Sequence, residues 1–80
     1  MEIRVVLKEN CNDSEVKKAL QEFFGVVSFE QHPSGYLFFH PVAKVSYRAS
    51  ISFLKSVVKI SDSVKMFVVL DKNKYEVIKK

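Results

Sequence analysis

Two short segments of the chain carry cationic and aromatic side chains, with one valine among them, at every second position. In a β-strand, such positions lie on one face of the sheet. A face of this kind could stack on unpaired bases and meet phosphates, or pack against another protein chain. The residues concerned are Arg4, Val6 and Lys8 in the first segment and Tyr36, Phe38 and His40 in the second. They are the candidate nucleic-acid or partner-binding residues.

The positions between them are apolar, as the buried face of a strand requires. These positions hold Ile3, Val5, Leu7, Leu37 and Phe39. If helices cover this second set, the first set is left on an open sheet face. The alternative is a β-bulge near Pro33 that inverts the assignment and places Phe38 in the core.

Side chains suited to catalysis are sparse. His32 and His40 could titrate near neutral pH, and a hairpin could bring them to one end of the sheet, but we see no carboxylate placed to orient either. The lone Cys11 could be reactive before a helix N-terminus, although a partly buried, inert thiol is the default. The chain has no phosphate-binding loop and no paired carboxylates or metal-ligand cluster. We therefore expect no catalysis, metal, cofactor or small-molecule substrate.

Two amphipathic helices are predicted to position the strands. In the first, apolar residues recur at three-to-four spacing from Val16 to Phe24, and Gly25 ends it. Asn12 and Glu15 have the spacing of a capping box at its start. The second helix is predicted at about 44–60, although its four serines weaken helical propensity and leave two short strands as an alternative.

Four further segments are predicted as strands. Residues 26–30 and 36–40 would form a hairpin through a turn that contains Pro33 and Gly35, and Pro41 would end it. Residues 64–70 are strongly apolar, and a turn at 71–74 leads to residues 75–78. That last segment either pairs at the sheet edge, where its lysines would protect it, or covers the sheet face.

The predicted order is strand, helix, strand, strand, helix, strand, with an extra C-terminal strand. This order is the split βαβ pattern, so we expect one α+β domain over residues 1–80, a ferredoxin-like βαββαβ two-layer sandwich with an antiparallel sheet. Both helices would then pack on one face of the sheet and leave the other uncovered.

The segment from Ser34 to His40 resembles the third-strand signature of the RNA recognition motif family, in which glycine precedes alternating aromatic residues. The stretch from Leu20 to Val27 is similar to the end of that family's first helix and the turn after it. The resemblance implies that Tyr36 and Phe38 stack on bases of single-stranded RNA. Three positions depart from the family pattern, with Ser34 for a basic residue, Leu37 for a small one and Arg4 for an aromatic one.

Charge is distributed unevenly along the chain, whose net charge is +4. Residues 1–40 carry four basic and six acidic side chains, whereas residues 41–80 carry nine basic and three acidic ones. A basic second half favours anionic partners, although a lysine-rich surface can serve solubility alone. Hydrophobic residues make up 48% of the chain without a run long enough to span a membrane, so we expect a cytoplasmic protein without membrane contact.

These features predict a binding module rather than an enzyme. The open sheet face would contact a protein partner or a second copy of the chain, as in a small phage or viral type of regulator or inhibitor. The alternative is single-stranded RNA or DNA, bound as the resemblance to the RNA recognition motif implies.

Overall fold

A computed structural model describes residues 1–80 of the chain. The chain forms two helices and five strands. In chain order they are β1 (Glu2–Leu7), α1 (Ser14–Phe24), β2 (Glu30–Gln31), β3 (Leu37–Phe39), α2 (Tyr47–Ile60), β4 (Val64–Asp71) and β5 (Lys74–Lys79).

The five strands form one open antiparallel sheet in the order β2-β3-β1-β4-β5. The first strand of the chain is therefore central, with β3 on one side and β4 on the other. The last strand, β5, pairs with β4 as a hairpin. Of the two predicted alternatives, the C-terminal residues therefore extend the sheet edge and do not cover the sheet face. Neither helix has the length and apolar character needed to cross a membrane.

One face of the sheet is buried beneath both helices. Alternate strand residues and the inward faces of α1 and α2 form a single cluster of 15 buried hydrophobic side chains. Ile3 and Phe39 are at most 2% exposed, whereas Phe38 is only partly buried. The predicted assignment of the two faces is therefore confirmed, and the alternative in which a bulge carries Phe38 into the core is wrong.

Helix α1 ends as predicted but begins differently. Gly25 adopts the left-handed conformation at φ +67° and donates its backbone N–H to the carbonyl of Gln21. At the other end, Asp13 occupies the N-cap position and makes no side-chain capping bond. Asn12 accepts hydrogen bonds from the amide and hydroxyl of Ser14 in a local turn. Asn12 therefore accepts one free amide at the start of the helix, as predicted, but the reciprocal capping box with Glu15 is absent because Asp13 and not Asn12 is the N-cap residue.

Helix α2 is a single helix, so the alternative of two short strands is wrong. It begins at Tyr47, three residues later than predicted, because the side chain of Ser46 accepts the backbone N–H of Ala49 and caps it there. Inside the helix, Ser50 and Ser56 donate their hydroxyls to the carbonyls four residues earlier. The serines thus satisfy their polar groups within the helix and do not break it.

The hairpin strand β2 is much shorter than the predicted strand over residues 26–30. Its register pairs Glu30 with Phe38, so Phe29 and Ser28 fall opposite Phe39 and His40. Val27 and Val26 would have to pair with Pro41 and Val42. Pro41 has no N–H for a ladder, and the N–H groups of Val42 and Ala43 donate to the carbonyl of Phe24 at the end of α1. Pairing at Val27 and Val26 therefore has no available partner, which excludes the first part of the predicted strand.

The two faces of β3 predict opposite responses to truncation. Phe39→Ala should lower the free energy of unfolding by about 3–5 kcal/mol, because it leaves a cavity in the core, whereas Phe38→Ala should cost clearly less. Urea unfolding followed by circular dichroism measures both. A greater loss for Phe38→Ala would contradict the observed sheet orientation.

The cap of α2 can be tested with a serine control. Ser46→Ala should lower the free energy of unfolding by about 1 kcal/mol, because one terminal N–H loses its acceptor. Ser56→Ala, at an exposed interior position of the same helix, should be neutral or slightly stabilising, since alanine has the higher helical propensity. Equal losses in thermal unfolding would contradict a special role for Ser46.

Candidate functional site

The sheet face that the helices leave uncovered is the candidate binding site, and we call it the open face. Directly paired residues of neighbouring strands project from the same face, so the strand register defines its rows. The central row crosses all five strands and consists of Glu30, Phe38, Arg4, Val68 and Val77.

Two flanking rows complete the part of the open face that lies on β1, β4 and β5. One row consists of Val6, Met66 and Lys79, and the other of Glu2, Leu70 and Tyr75. The β4 side of the open face is therefore aliphatic, whereas the β3 side is aromatic. Along β4 the side chains are only partly buried, and Val77 on the edge strand is 40% exposed.

The structure brings together most of the residues predicted from alternation. Arg4 and Val6 lie on β1, and the rings of Tyr36 and Phe38 are 6.2 Å apart beside them. His40 lies just after β3, with its ring 6.3 Å from Phe38. Lys8 lies beyond the end of β1, is exposed, and has its backbone N–H bonded to the carbonyl of Ser63. Lys8 is therefore not part of the cluster that Arg4 forms with the rings of Tyr36, Phe38 and His40.

His32 joins the open face from the hairpin loop. Its ring stacks on Tyr36, with centroids 4.4 Å apart and an angle of 10° between the planes. The backbone N–H of Ser34 donates to His32 Nδ1 at 3.1 Å, and the Ser34 hydroxyl lies 2.6 Å from the same atom. The tight turn thus orients the imidazole, and the imidazole covers one side of the Tyr36 ring.

Arg4 is held between an acidic and an aromatic partner. Its Nε donates to Glu2 Oε2 at 2.7 Å, and its guanidinium carbon lies 5.1 Å from the centroid of the Tyr36 ring. The hydrogen bond to Glu2 raises the pKa of Arg4 above its already high value, against the opposing effect of desolvation. The arginine is therefore fixed as a cation whose charge is already balanced locally.

The histidines do not form a pair, and one expectation about them is wrong. Phe38 lies between them, with its ring centroid 6.5 Å from His32 and 6.3 Å from His40. The sequence predicts no carboxylate placed to orient either ring, but Glu2 Oε1 lies 3.6 Å from His40 Nε2. The other carboxylate oxygen of Glu2 accepts a hydrogen bond from Arg4, and the His40 side chain is 63% exposed. Cys11 is a free, partly buried thiol in the loop before α1.

Sequence reasoning missed the contribution of β4 and β5 to the open face. Val68 and Leu70 supply its aliphatic centre, and Tyr75 and Val77 extend it to the edge. The signal was present in residues 64–70, because a strand that is apolar at almost every position has two apolar faces. His32 was also missed, since only the turn geometry places its ring on Tyr36.

Comparison of the chain with protein-family models, with curated proteins and with solved structures finds no match in any of the three. A function is therefore inferred from the geometry of the molecule itself.

The contact between Arg4 and Tyr36 can be measured by a double-mutant cycle. Arg4→Met and Tyr36→Leu should each destabilise the protein, and the double variant should show a coupling energy of about 0.5–1 kcal/mol, as expected for a cation above an aromatic ring. Urea unfolding of the four proteins gives the coupling.

The matched control for this cycle is Arg48→Met, which removes an exposed arginine from α2 on the opposite side of the sheet. Arg48→Met combined with Tyr36→Leu should be additive within about 0.5 kcal/mol. A coupling as large as that of the Arg4 cycle would show that the measured energy does not arise from the contact.

Proposed function

We propose that the chain is a non-catalytic binding module of ferredoxin-like fold whose open face contacts another protein chain, in the first place a second copy of itself. The observation that carries this proposal is the composition of β4. Its sequence is apolar on both faces, which is typical of a strand covered on both sides, yet the helices cover only one. A partner chain would supply the missing cover.

The strand order supports the ferredoxin-like part of the proposal. The central strand β1 is flanked by β3 and β4, and all neighbouring pairs are antiparallel. Each helix connects two strands that are separated by one intervening strand, as two interlocked βαβ units require. In this description β5 is an addition at the edge beside β4.

Charge on the open face supports a second copy as the occupant. The chain carries a net charge of +4, which would oppose self-association if the excess lay at the interface. On the open face, however, two acidic and two basic side chains balance. These are Glu2, Glu30, Arg4 and Lys79. Two copies can therefore approach through this face without net repulsion, and the apolar rows would exclude water between them.

A protein target other than a second copy would use the same surface. A small regulator or inhibitor of phage or viral type acts by occupying its target's surface, and an uncovered apolar sheet face suits that role. Self-association is tested first because it needs no knowledge of the target.

Single-stranded nucleic acid is the second candidate, and the observation that favours it is the neighbouring pair of rings at Tyr36 and Phe38. A base needs a free ring face on which to stack. His32 already covers one side of Tyr36, and Arg4 also contacts that ring while its charge is balanced by Glu2. These contacts leave Phe38 as the less encumbered ring, so protein contact is the function the geometry supports better.

The interface is tested by placing a charge at its centre. Wild-type protein at about 100 μM should have the mass of a dimer in light scattering, which corresponds to a dissociation constant below that concentration. Val68→Lys should make it a monomer, because the lysine would be buried between two apolar surfaces. Val27→Lys is the control, since Val27 is 85% exposed and lies outside the sheet. It should remain a dimer.

A monomeric wild-type protein would refute self-association. Titration of labelled single-stranded RNA and DNA at two salt concentrations then tests the second candidate. Binding that falls steeply with salt and weakens in Phe38→Ala would assign the open face to nucleic acid. Circular dichroism of every variant confirms that it is folded.

A further inference from the structure

We propose that the free edge of β5, with the groove between β5 and α2, binds an extended acidic peptide segment of another protein, which adds to the sheet as a sixth strand. This site meets the open face at β5, where Val77 and Lys79 belong to both surfaces, and its other lining residues lie outside that face. Three features identify its occupant: an unpaired strand edge, a groove with apolar walls, and a group of lysines that line the groove.

The first feature is the strand edge. In the sheet order, β5 is terminal and pairs only with β4. In an antiparallel pair, alternate residues exchange both backbone hydrogen bonds and the others direct their N–H and C=O groups away. Every second residue of β5, a strand of six residues, therefore presents a free donor and a free acceptor at the edge. An added peptide strand satisfies such a row along its whole length.

The second feature is a groove of about 420 Å³ between the last two turns of α2 and the end of β5. Its apolar walls come from Val58 on the helix and from Val77 and Ile78 on the strand. A peptide strand that lies beside β5 points every second side chain toward the helix layer. The groove can receive an apolar side chain from one such position, which gives the added strand a fixed register.

The third feature is charge. Lys55 and Lys59 line the groove from α2, and Lys79 and Lys80 line it from the chain end. One of these lysines has an acidic partner: the carboxylate of Asp62 lies 3.9 Å from Lys80 Nζ and is fully exposed. An exposed pair at that distance contributes little. The lysines are thus available to carboxylates of a bound peptide.

The same three features argue against two other occupants, a second copy of the chain and a nucleic acid. A second copy that paired through β5 would bring lysines against lysines, so the edge is protected from self-association while it attracts an acidic strand. A nucleic acid would use the lysines but not the free backbone groups or the apolar walls, and no aromatic side chain lines the groove for stacking. An acidic peptide uses all three features.

The probe for the test is a fluorescein-labelled peptide of alternating glutamate and valine, seven residues long. Fluorescence anisotropy should show saturable binding to the wild-type protein that weakens as salt is raised. The same peptide with alternate backbone nitrogens methylated keeps its charge but cannot complete the ladder, so its binding should be lost. The peptide with lysine in place of glutamate should not bind.

Matched charge reversals locate the site. The double variant Lys59→Glu with Lys80→Glu should weaken binding of the acidic peptide by about tenfold or more, because both walls of the groove then repel it. The double variant Lys18→Glu with Lys44→Glu changes the net charge equally at exposed positions outside the groove. It should bind nearly as tightly as the wild type.

Three outcomes would overturn the proposal. Equal binding of the methylated peptide would show attraction without strand addition. Equal weakening by both pairs of reversals would show dependence on net charge alone. Tighter binding of a twelve-residue oligothymidylate, with the peptide bound weakly, would assign the lysines to nucleic acid.

Val68→Lys should leave peptide binding unchanged, so failure of either proposal can be distinguished from failure of the other.

Discussion

Burial of one face of the sheet beneath both helices is the constraint on which the rest of the structure depends. Side chains alternate across a strand, so packing Ile3 and Phe39 into the core directs Arg4 and Phe38 to the other face without further choice. A one-residue slip of β1 would exchange the two sets and expose the core. The composition of the open face is therefore a consequence of core packing, and so is its lack of a cover.

Two surfaces with different chemistry follow from this arrangement. The open face is apolar and its few charges are balanced, with Arg4 bonded to Glu2 at 2.7 Å. The edge formed by α2 and β5 holds several of the lysines that make the second half of the chain basic. Uneven charge in the sequence thus becomes uneven charge on the surface, because lysines of α2 and the chain end gather at this edge while the charges of the open face balance.

Sequence reasoning succeeded where one local pattern dominated and failed where two segments competed for a partner. The alternation around Val5 and the glycine stop at Gly25 predicted their elements correctly, because both depend on neighbouring residues alone. The start of the strand over residues 26–30 was overestimated because pairing at Val26 and Val27 depends on what Val42 and Pro41 can offer across the hairpin. The stacking of His32 on Tyr36 was not predicted either, because it depends on the conformation of the turn between them, which the residue types alone do not specify.

The residues by themselves determined the number and type of the elements, the apolar side of each, and the choice of a two-layer α+β architecture, because periodicity is a property of adjacent positions. Only the tertiary structure decided that β5 extends the sheet edge and leaves the open face bare, and that α2 and β5 enclose a groove lined by lysines from both. Strand order and the distances between remote side chains arise from packing of the whole chain, and no local pattern encodes them.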